Sequence, residues 1–244
     1  MSPSIPPDGD RAHTSAPDGH GATGAGIALA VVLALVAGCV DAISFERVFD
    51  VFPANQSGNA VFLGIALGHG RAGTAWRPAV AILAFGIGVT VAIVIGSRVR
   101  ERIRSELLLT IEIVLLVPLL IVLLDDPTPI AHLHGLGAGT LLALTACAMG
   151  MQTEVIGRVA GVAVATTYQT GAITHIAESV AHRLAPGHRP PAVGRAVAVL
   201  LVVLVGYIAG AALGSSLRTS RFAMVVPVAL LAVTTLVLVV RRRS

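Results

Sequence analysis

Four carboxylates of this sequence lie inside long apolar stretches: Asp41, Glu112, Glu154 and Glu178. A charged side chain at the centre of a bilayer costs about 2.5–3.5 kcal/mol on insertion scales, so a functional role is the default hypothesis for each. Asp41 and Glu154 lie near the ends of their stretches, where a helix-end cap is an equally simple role. We therefore predict that Asp41 and Glu154 are proton or cation coupling sites, with capping as the alternative.

The other two carboxylates have simpler interpretations. Glu112 follows Arg104 by eight residues, and an ion pair with such an interfacial arginine would satisfy it. Glu178 follows His175 by three residues, which places both on one helical face. A His–carboxylate pair can relay protons because histidine titrates near neutral pH, but a mutually satisfied polar contact explains the pair equally simply.

Two polar blocks interrupt the apolar stretches. The first is Pro53-Ala54-Asn55-Gln56-Ser57-Gly58-Asn59 and the second is Thr166-Thr167-Tyr168-Gln169-Thr170-Gly171. At a shift of 113 residues the two blocks align, and Asp41 aligns with Glu154. A carboxylate followed fifteen residues later by Gln-(Ser/Thr)-Gly therefore occurs twice. This pattern predicts two internal repeats, residues 24–124 and 136–240.

The side chains of these blocks form a candidate solute-binding site. If the blocks break their helices inside the membrane, the freed backbone groups must be buried in protein or face a water-filled cavity. The alternative is two unbroken helices whose polar side chains bond to neighbouring helices. The candidate binding residues are Asn55, Gln56, Ser57, Asn59, Tyr168, Gln169 and Thr170.

The motifs of the chain resemble those of a known family. The stretches Gly38–Phe45, Phe52–Asn59, Met149–Gln152 and Thr166–Gly171 resemble the YoaK-like family of bacterial multi-pass inner-membrane proteins, a domain of unknown function. Ser57 stands where many members carry Thr, a change that keeps the hydroxyl. The resemblance implies about six spans in the cytoplasmic membrane, and it implies no substrate and no catalytic residues.

Hydropathy indicates the elements that position these residues. Of the 244 residues, 55% are hydrophobic and only 12% are charged, whereas about 25% are charged in soluble domains. Residues 1–23 are rich in Pro, Gly, Ser and Asp, which predicts a disordered tail. Residues 24–244 are predicted to form a single transmembrane domain. It contains eight apolar segments of about the length that crosses a bilayer, at 24–45, 51–69, 76–97, 106–124, 136–157, 161–181, 192–215 and 222–240.

The distribution of arginine tests how many segments cross. If all eight cross, nine arginines lie on one side and eight on the other. If segments two and six enter and leave on the same side, the division becomes twelve against five, with both termini in the cytoplasm. We predict an all-α integral membrane protein, a helical bundle of about six spans plus two polar re-entrant segments, with eight spans as the alternative. Three spans per repeat would make the repeats antiparallel, as in many transporters.

Small residues at four-residue spacing predict close packing between helices. Gly88, Ala92 and Gly96 align with Gly206, Gly210 and Gly214. We predict that segments three and seven pack against each other through these residues, with homodimerisation through the same face as the alternative.

The remaining patterns narrow the function. The chain contains no G-x-S-x-G elbow, HExxH, P-loop or dinucleotide fingerprint, so we expect no enzyme. We expect no cofactor or metal, because His132 and His134 lack a nearby third ligand and the two cysteines do not form a CxxC pair. We expect no nucleic acid as a partner, since all 17 basic residues are arginines clustered between apolar segments.

Two functions are left by the sequence. One is a small secondary transporter or permease of the bacterial inner membrane, with the lipid bilayer and an unknown small solute as its partners. The other is a non-transporting membrane scaffold or partner subunit, whose polar blocks hold the bundle together.

Overall fold

The computed structural model describes residues 24–126, 136–159, 173–174, 176–178, 181 and 194–243. These ranges are almost entirely helical and contain no β-strand. The predicted tail 1–23 and most of segment six lie outside the described residues. The helices are α1 (Gly24–Ser44), which continues into a π-helical turn (Phe45–Phe49), α2 (Gln56–Gly68), α3 (Ala72–Arg98), α4 (Glu101–Asp125), α5 (Leu136–Val159), α6 (Gly194–Ser216) and α7 (Val225–Arg243).

Six of these helices are long and apolar enough to cross a membrane: α1 with its π turn, α3, α4, α5, α6 and α7. Their outward faces carry large apolar side chains such as Leu83, Val114 and Leu236, each more than 60% exposed. Extensive apolar surface of this kind is typical of contact with lipid. The chain is an all-α membrane protein with six candidate spans, which confirms the predicted fold class.

Contacts at the helix ends define two ends of the bundle. Ala25, at the start of α1, and Arg241, near the end of α7, line the same groove, and we call this the terminal end. At the opposite end, Arg47 Nη1 donates a hydrogen bond of 2.7 Å to the carbonyl oxygen of Ser220, in the α6–α7 connection. The start of α1 and the end of α7 therefore both lie at the terminal end of the bundle.

Segment two does not cross the bundle. Its helix α2 has 13 residues and is about 20 Å long, too short for a hydrocarbon core of about 30 Å. After Phe49 the chain folds back, since the Ala54 N–H donates to Asp41 Oδ1, about 12 Å deeper along α1. α2 then returns to the end it came from, because Arg77 near the start of α3 pairs with Asp50. The segment is re-entrant, one of the two alternatives that the sequence left open.

Glycines bring α1 and α6 into backbone contact. A Cβ on Gly210 of α6 would meet the Leu35 carbonyl of α1, and a Cβ on Gly38 of α1 would meet the backbone of Tyr207 and Ala211. Only the absence of a side chain allows this approach. The two helices form the most extensive contact in the described bundle.

A second pair of helices, α3 and α5, packs in the same way. A Cβ on Gly88 of α3 would meet the Cys147 backbone of α5, and a Cβ on Gly150 of α5 would meet the backbone of Phe85 and Val89. α4 packs on α5 and α7, and α1 also contacts α5 and α7. α1 is thus the central helix of the described bundle.

The predicted packing of segment three against segment seven is wrong. Within the described helices, α3 packs on α5 and α6 packs on α1. Gly206 and Gly214 face α1 with Gly210, whereas Gly96 lies against the side chain of Arg104. Small residues indicate that a helix has a close neighbour, but they do not specify which helix it is. The contacts also occupy, within one chain, the face that dimerisation would use.

Candidate functional site

Asp41 lies at the centre of the re-entrant region and is only 1% exposed. Its Oδ1 accepts a hydrogen bond of 2.7 Å from the Ala54 N–H, and its Oδ2 accepts one of 2.5 Å from the Tyr207 hydroxyl. Such charge-assisted hydrogen bonds offset the cost of burying a carboxylate. Asp41 therefore fastens the loop before α2 to α1 and to α6.

Asn59 fixes the loop from within α2. Its Oδ1 accepts from the Phe52 N–H at 3.0 Å, and its Nδ2 donates to the Phe52 carbonyl oxygen at 2.6 Å. The Gln56 Nε2 donates to the Pro53 carbonyl oxygen at 2.7 Å, while the Gln56 Oε1 accepts from Asn59 Nδ2 at 2.9 Å. Backbone groups released by the break are thus paired with side chains, as they must be at membrane depth.

Asn55 caps the inner end of α2. Its Oδ1 accepts from the Gly58 N–H at 3.4 Å and from the Ser57 hydroxyl at 2.8 Å. Asn55 and Gln56 are half-buried and Ser57 is exposed in the described structure. The first turn of α2 therefore combines groups that hold the loop with a hydroxyl that is exposed in the described structure. We call Asp41, residues 50–59 and Tyr207 the re-entrant site.

Three stacked aromatic rings form one wall of this site. The Phe45 and Phe52 ring centroids are 4.6 Å apart, and Phe62 of α2 lies 6.0 Å from Phe45 and 5.9 Å from Phe52. The stack joins the π turn, the loop and α2, and a Cβ on Gly58 would press on the Phe52 ring. The sequence prediction missed these residues, because a phenylalanine in an apolar segment gives no signal of its own.

Two arginines near the same end were also missed. Arg77 pairs with Asp50, which has a φ of 55°, a left-handed conformation that is uncommon outside glycine. Arg47 is 5% exposed and donates to Ser220. Charge counting used both residues only as topology signals, although they also fasten the loop and the α6–α7 connection.

The other candidate residues belong to the second polar block, to α5 and to segment six. Tyr168, Gln169 and Thr170 lie outside the described residues, as does His175. Glu154 is half-buried on α5 and Glu178 is exposed. Among the described residues, no group of three or more His, Cys, Asp or Glu side chains is placed to hold a metal ion.

The predicted pairing of Glu112 with an interfacial arginine is wrong. Glu112 is completely buried, and neither of its carboxylate oxygens has a hydrogen-bond partner among the described residues. Arg104 is two helical turns away along α4 and packs over Gly96. Gln152 of α5 is likewise completely buried, and neither polar atom of its side chain has a partner in the described structure.

These features define a multi-pass helical membrane protein with a re-entrant segment held by a buried carboxylate. A family model described as "Protein of unknown function (DUF1275)" matches residues 29–237, and the chain belongs to this family. The UPF0700 transmembrane protein YoaK of Bacillus subtilis (strain 168) is 26% identical over 154 residues, which are 63% of this chain and 66% of that protein. The resemblance to a YoaK-like family is thereby confirmed. No solved structure matches the chain.

Proposed function

We propose that the chain is a small secondary transporter or permease, and that the re-entrant site binds its solute. One observation carries the proposal: α2 begins inside the bundle, where Asn55, Gln56 and Ser57 are partly or fully exposed in the described structure. In secondary transporters, substrate sites are typically formed by discontinuous helices whose inner ends lie beside polar groups. The chemistry of these side chains suits a small polar solute.

The depth of the site supports a water-filled passage. The inner end of α2 lies about 12 Å along α1 from Phe49, beside Asp41. Amide and hydroxyl groups exposed to hydrocarbon at that depth would lose their hydrogen bonds to water. In this proposal the passage opens at the end of the bundle where α2 enters. Tyr168, Gln169 and Thr170, outside the described residues, stay predicted solute-binding residues.

The proposal includes an inverted repeat, and the glycine contacts support it. Adding 112 to the number of Gly38 gives Gly150. Gly150 lies against Phe85 and Val89, and Gly38 lies against Tyr207 and Ala211. The residue numbers of the second pair exceed those of the first pair by 122. The α1–α6 and α3–α5 pairs therefore use equivalent residues from each half, with the first helix of one half on the second spanning helix of the other.

This correspondence bears on the coupling residues. At an offset of 112, Asp41 corresponds to Thr153 rather than to Glu154, and adjacent residues point about 100° apart on a helix. We propose Asp41 as the carboxylate that couples solute binding to the movement of α6. Glu154 of α5 remains a candidate cation site, without an equivalent carboxylate in the first repeat.

A flux measurement tests the proposal. Full-length protein in proteoliposomes is offered a panel of amino acids, sugars and organic ions, with and without a pH gradient. We expect Gln56→Ala and Gln169→Ala to reduce the flux of the transported solute while the amount inserted stays constant. Ser97→Ala, an exposed hydroxyl near the terminal end of α3, is the matched control and should transport normally.

A scaffold or partner subunit is the second candidate. It is favoured by the hydrogen bonds within the re-entrant site, because Asn59 and Gln56 are occupied by the loop they hold. For a scaffold, no solute of the panel crosses, and Gln56→Ala reduces stability instead of flux. For either function we propose a location in the bacterial inner membrane with both termini in the cytoplasm, with no enzymatic activity and no nucleic-acid partner.

A further inference from the structure

A second pair of buried polar side chains lies away from the re-entrant site, on α4 and α5, two helices that pack against each other. Glu112 of α4 and Gln152 of α5 are completely buried, and none of their side-chain oxygen and nitrogen atoms has a partner among the described residues. Roughly 90% or more of buried polar groups are paired in native structures. Two unpaired polar side chains on adjoining helices therefore indicate a site that binds something.

The two side chains lie at similar depth. Glu112 is 13 residues before the end of α4, and Gln152 is 16 residues after the start of α5. Residues 127–135 connect these two helix ends, and along their helices the two residues lie about 20 and 24 Å from them. From the opposite ends of their helices, Glu112 is about 16 Å away and Gln152 about 10 Å away, so both lie away from the helix ends.

Among the charged side chains that the structure describes on the packed helices, none compensates Glu112. The charged residues of α3 are Arg77 and Arg98, and those of α7 are Arg241–Arg243, all near helix ends. The other charged residues of α4 lie in its first two turns or at Asp125. On α5, the titratable groups are Cys147, Glu154 and, in its last turn, Arg158. In the described structure Glu112 forms no ion pair.

The chemistry of the location selects a proton as the ligand. An isolated carboxylate in an apolar interior is neutralised by binding a proton. Calcium takes six to eight oxygen ligands and magnesium about six, more than the one carboxyl and one amide offered by the described residues here. A glutamine can accept a hydrogen bond from a protonated carboxyl and donate one to a carboxylate.

We propose that Glu112 is a proton-binding site in the interior of the bundle, with Gln152 as its hydrogen-bonding neighbour when the proton binds or leaves. Glu112 then holds the coupling proton, while the re-entrant site holds the solute. This coupling role rests on the proposed transport function. Proton binding itself does not rest on it and can be measured without any solute.

Infrared difference spectroscopy on full-length protein in liposomes tests the site. Spectra in acidic and alkaline buffer are subtracted, and the carbonyl stretch of a protonated carboxyl is followed. We expect a band that is absent in Glu112→Gln and shifted in frequency in Gln152→Leu. Glu101→Gln is the matched control, since Glu101 is an exposed glutamate on the same helix, and this variant should keep the band.

Three results would overturn the proposal. The first is an identical difference spectrum for wild type and Glu112→Gln. The second is a Glu112 band that responds to sodium but not to pH. If Glu112→Gln does not insert into the membrane, Glu112→Asp is measured in its place. The third result is a band in Glu112→Asp at the same frequency as in the wild type. A protein with the pH-dependent band but no flux for any solute keeps its proton site and loses the transport proposal.

Discussion

The Tyr207 hydroxyl of α6 donates a hydrogen bond of 2.5 Å to Asp41 of α1, although 166 residues separate the two in sequence. The other oxygen of the same carboxylate holds the Ala54 N–H of the re-entrant loop. One side chain therefore joins α1, α6 and the loop before α2. Any shift of α6 along α1 must change the hydrogen bonding of Asp41 and, through it, the position of the loop.

Removal of this hydroxyl should destabilise the protein. We expect Tyr207→Phe to lower the free energy of unfolding by about 1–3 kcal/mol, because a buried carboxylate loses a donor while keeping its charge. Unfolding in mixed detergent micelles measures the effect. In an Asp41→Asn background the same change should cost less, with a coupling energy of about 0.5–3 kcal/mol. Strictly additive costs would contradict the contact.

The loop before α2 should depend on Asn59 and much less on Ser57. Asn59→Leu keeps a similar size but leaves the Phe52 N–H and carbonyl oxygen without partners, at a cost of about 2–3 kcal/mol. Ser57→Ala removes an exposed hydroxyl, and its effect should stay within about 0.5 kcal/mol. Thermal unfolding in detergent compares the two variants. Equal stabilities would mean that the Asn59 contacts do not hold the loop.

Two glycines of α3 should respond oppositely to the same substitution. Gly88→Ala forces a methyl group into the Cys147 backbone and should separate α3 from α5, lowering stability by about 1–3 kcal/mol. Gly86 has open space where a Cβ would lie, so Gly86→Ala should be neutral or stabilising by up to about 1 kcal/mol through helix propensity. Chemical unfolding measures both. A tolerated Gly88→Ala would argue against the close α3–α5 contact.

Single cysteines should decide the topology. In a background lacking Cys39 and Cys147, a cysteine at Gly70, between α2 and α3, and one at position 130, after α4, should both react with a membrane-impermeant maleimide in intact cells. A C-terminal reporter that is active only in the cytoplasm should be active, and one that is active only outside should be inactive. If all eight segments crossed, Gly70, position 130 and the C-terminus would all lie on the side of the N-terminus, so neither cysteine would be labelled when the C-terminal reporter is cytoplasmic.

The spans could be predicted from the sequence because a helix must reach a minimum length to cross a bilayer. A run of about 20 apolar residues suffices to define a crossing, and each of the six spanning helices overlaps one of the apolar segments that the hydropathy separates. The polar run Pro53–Asn59 likewise indicated a break, since proline and short polar side chains favour caps and turns over helix interiors. The bounds shifted where charged residues extended helices, as for α4, which begins at Glu101.

The neighbours of each helix could not be predicted in the same way. In lipid there is no hydrophobic force to select one apolar face over another, so packing depends on shape and a few polar contacts. The stripe of Gly206, Gly210 and Gly214 correctly predicted a close partner, but the predicted partner, α3, was wrong. The hydrogen-bond partners of the carboxylates could not be predicted either. Asp41 has donors that are remote in sequence, and Glu112 has none among the described residues.

By itself the sequence determined that this is a helical membrane protein with eight apolar segments, about six of them predicted to span, and a polar break before α2, because hydropathy and helix-breaking residues act locally along the chain. Only the tertiary structure decided that the break folds back to Asp41, that α6 lies on α1 and α5 on α3, and that Glu112 and Gln152 are buried without partners in the described structure. These outcomes depend on which surfaces fit at van der Waals distance, and residues far apart in the chain supply those surfaces jointly.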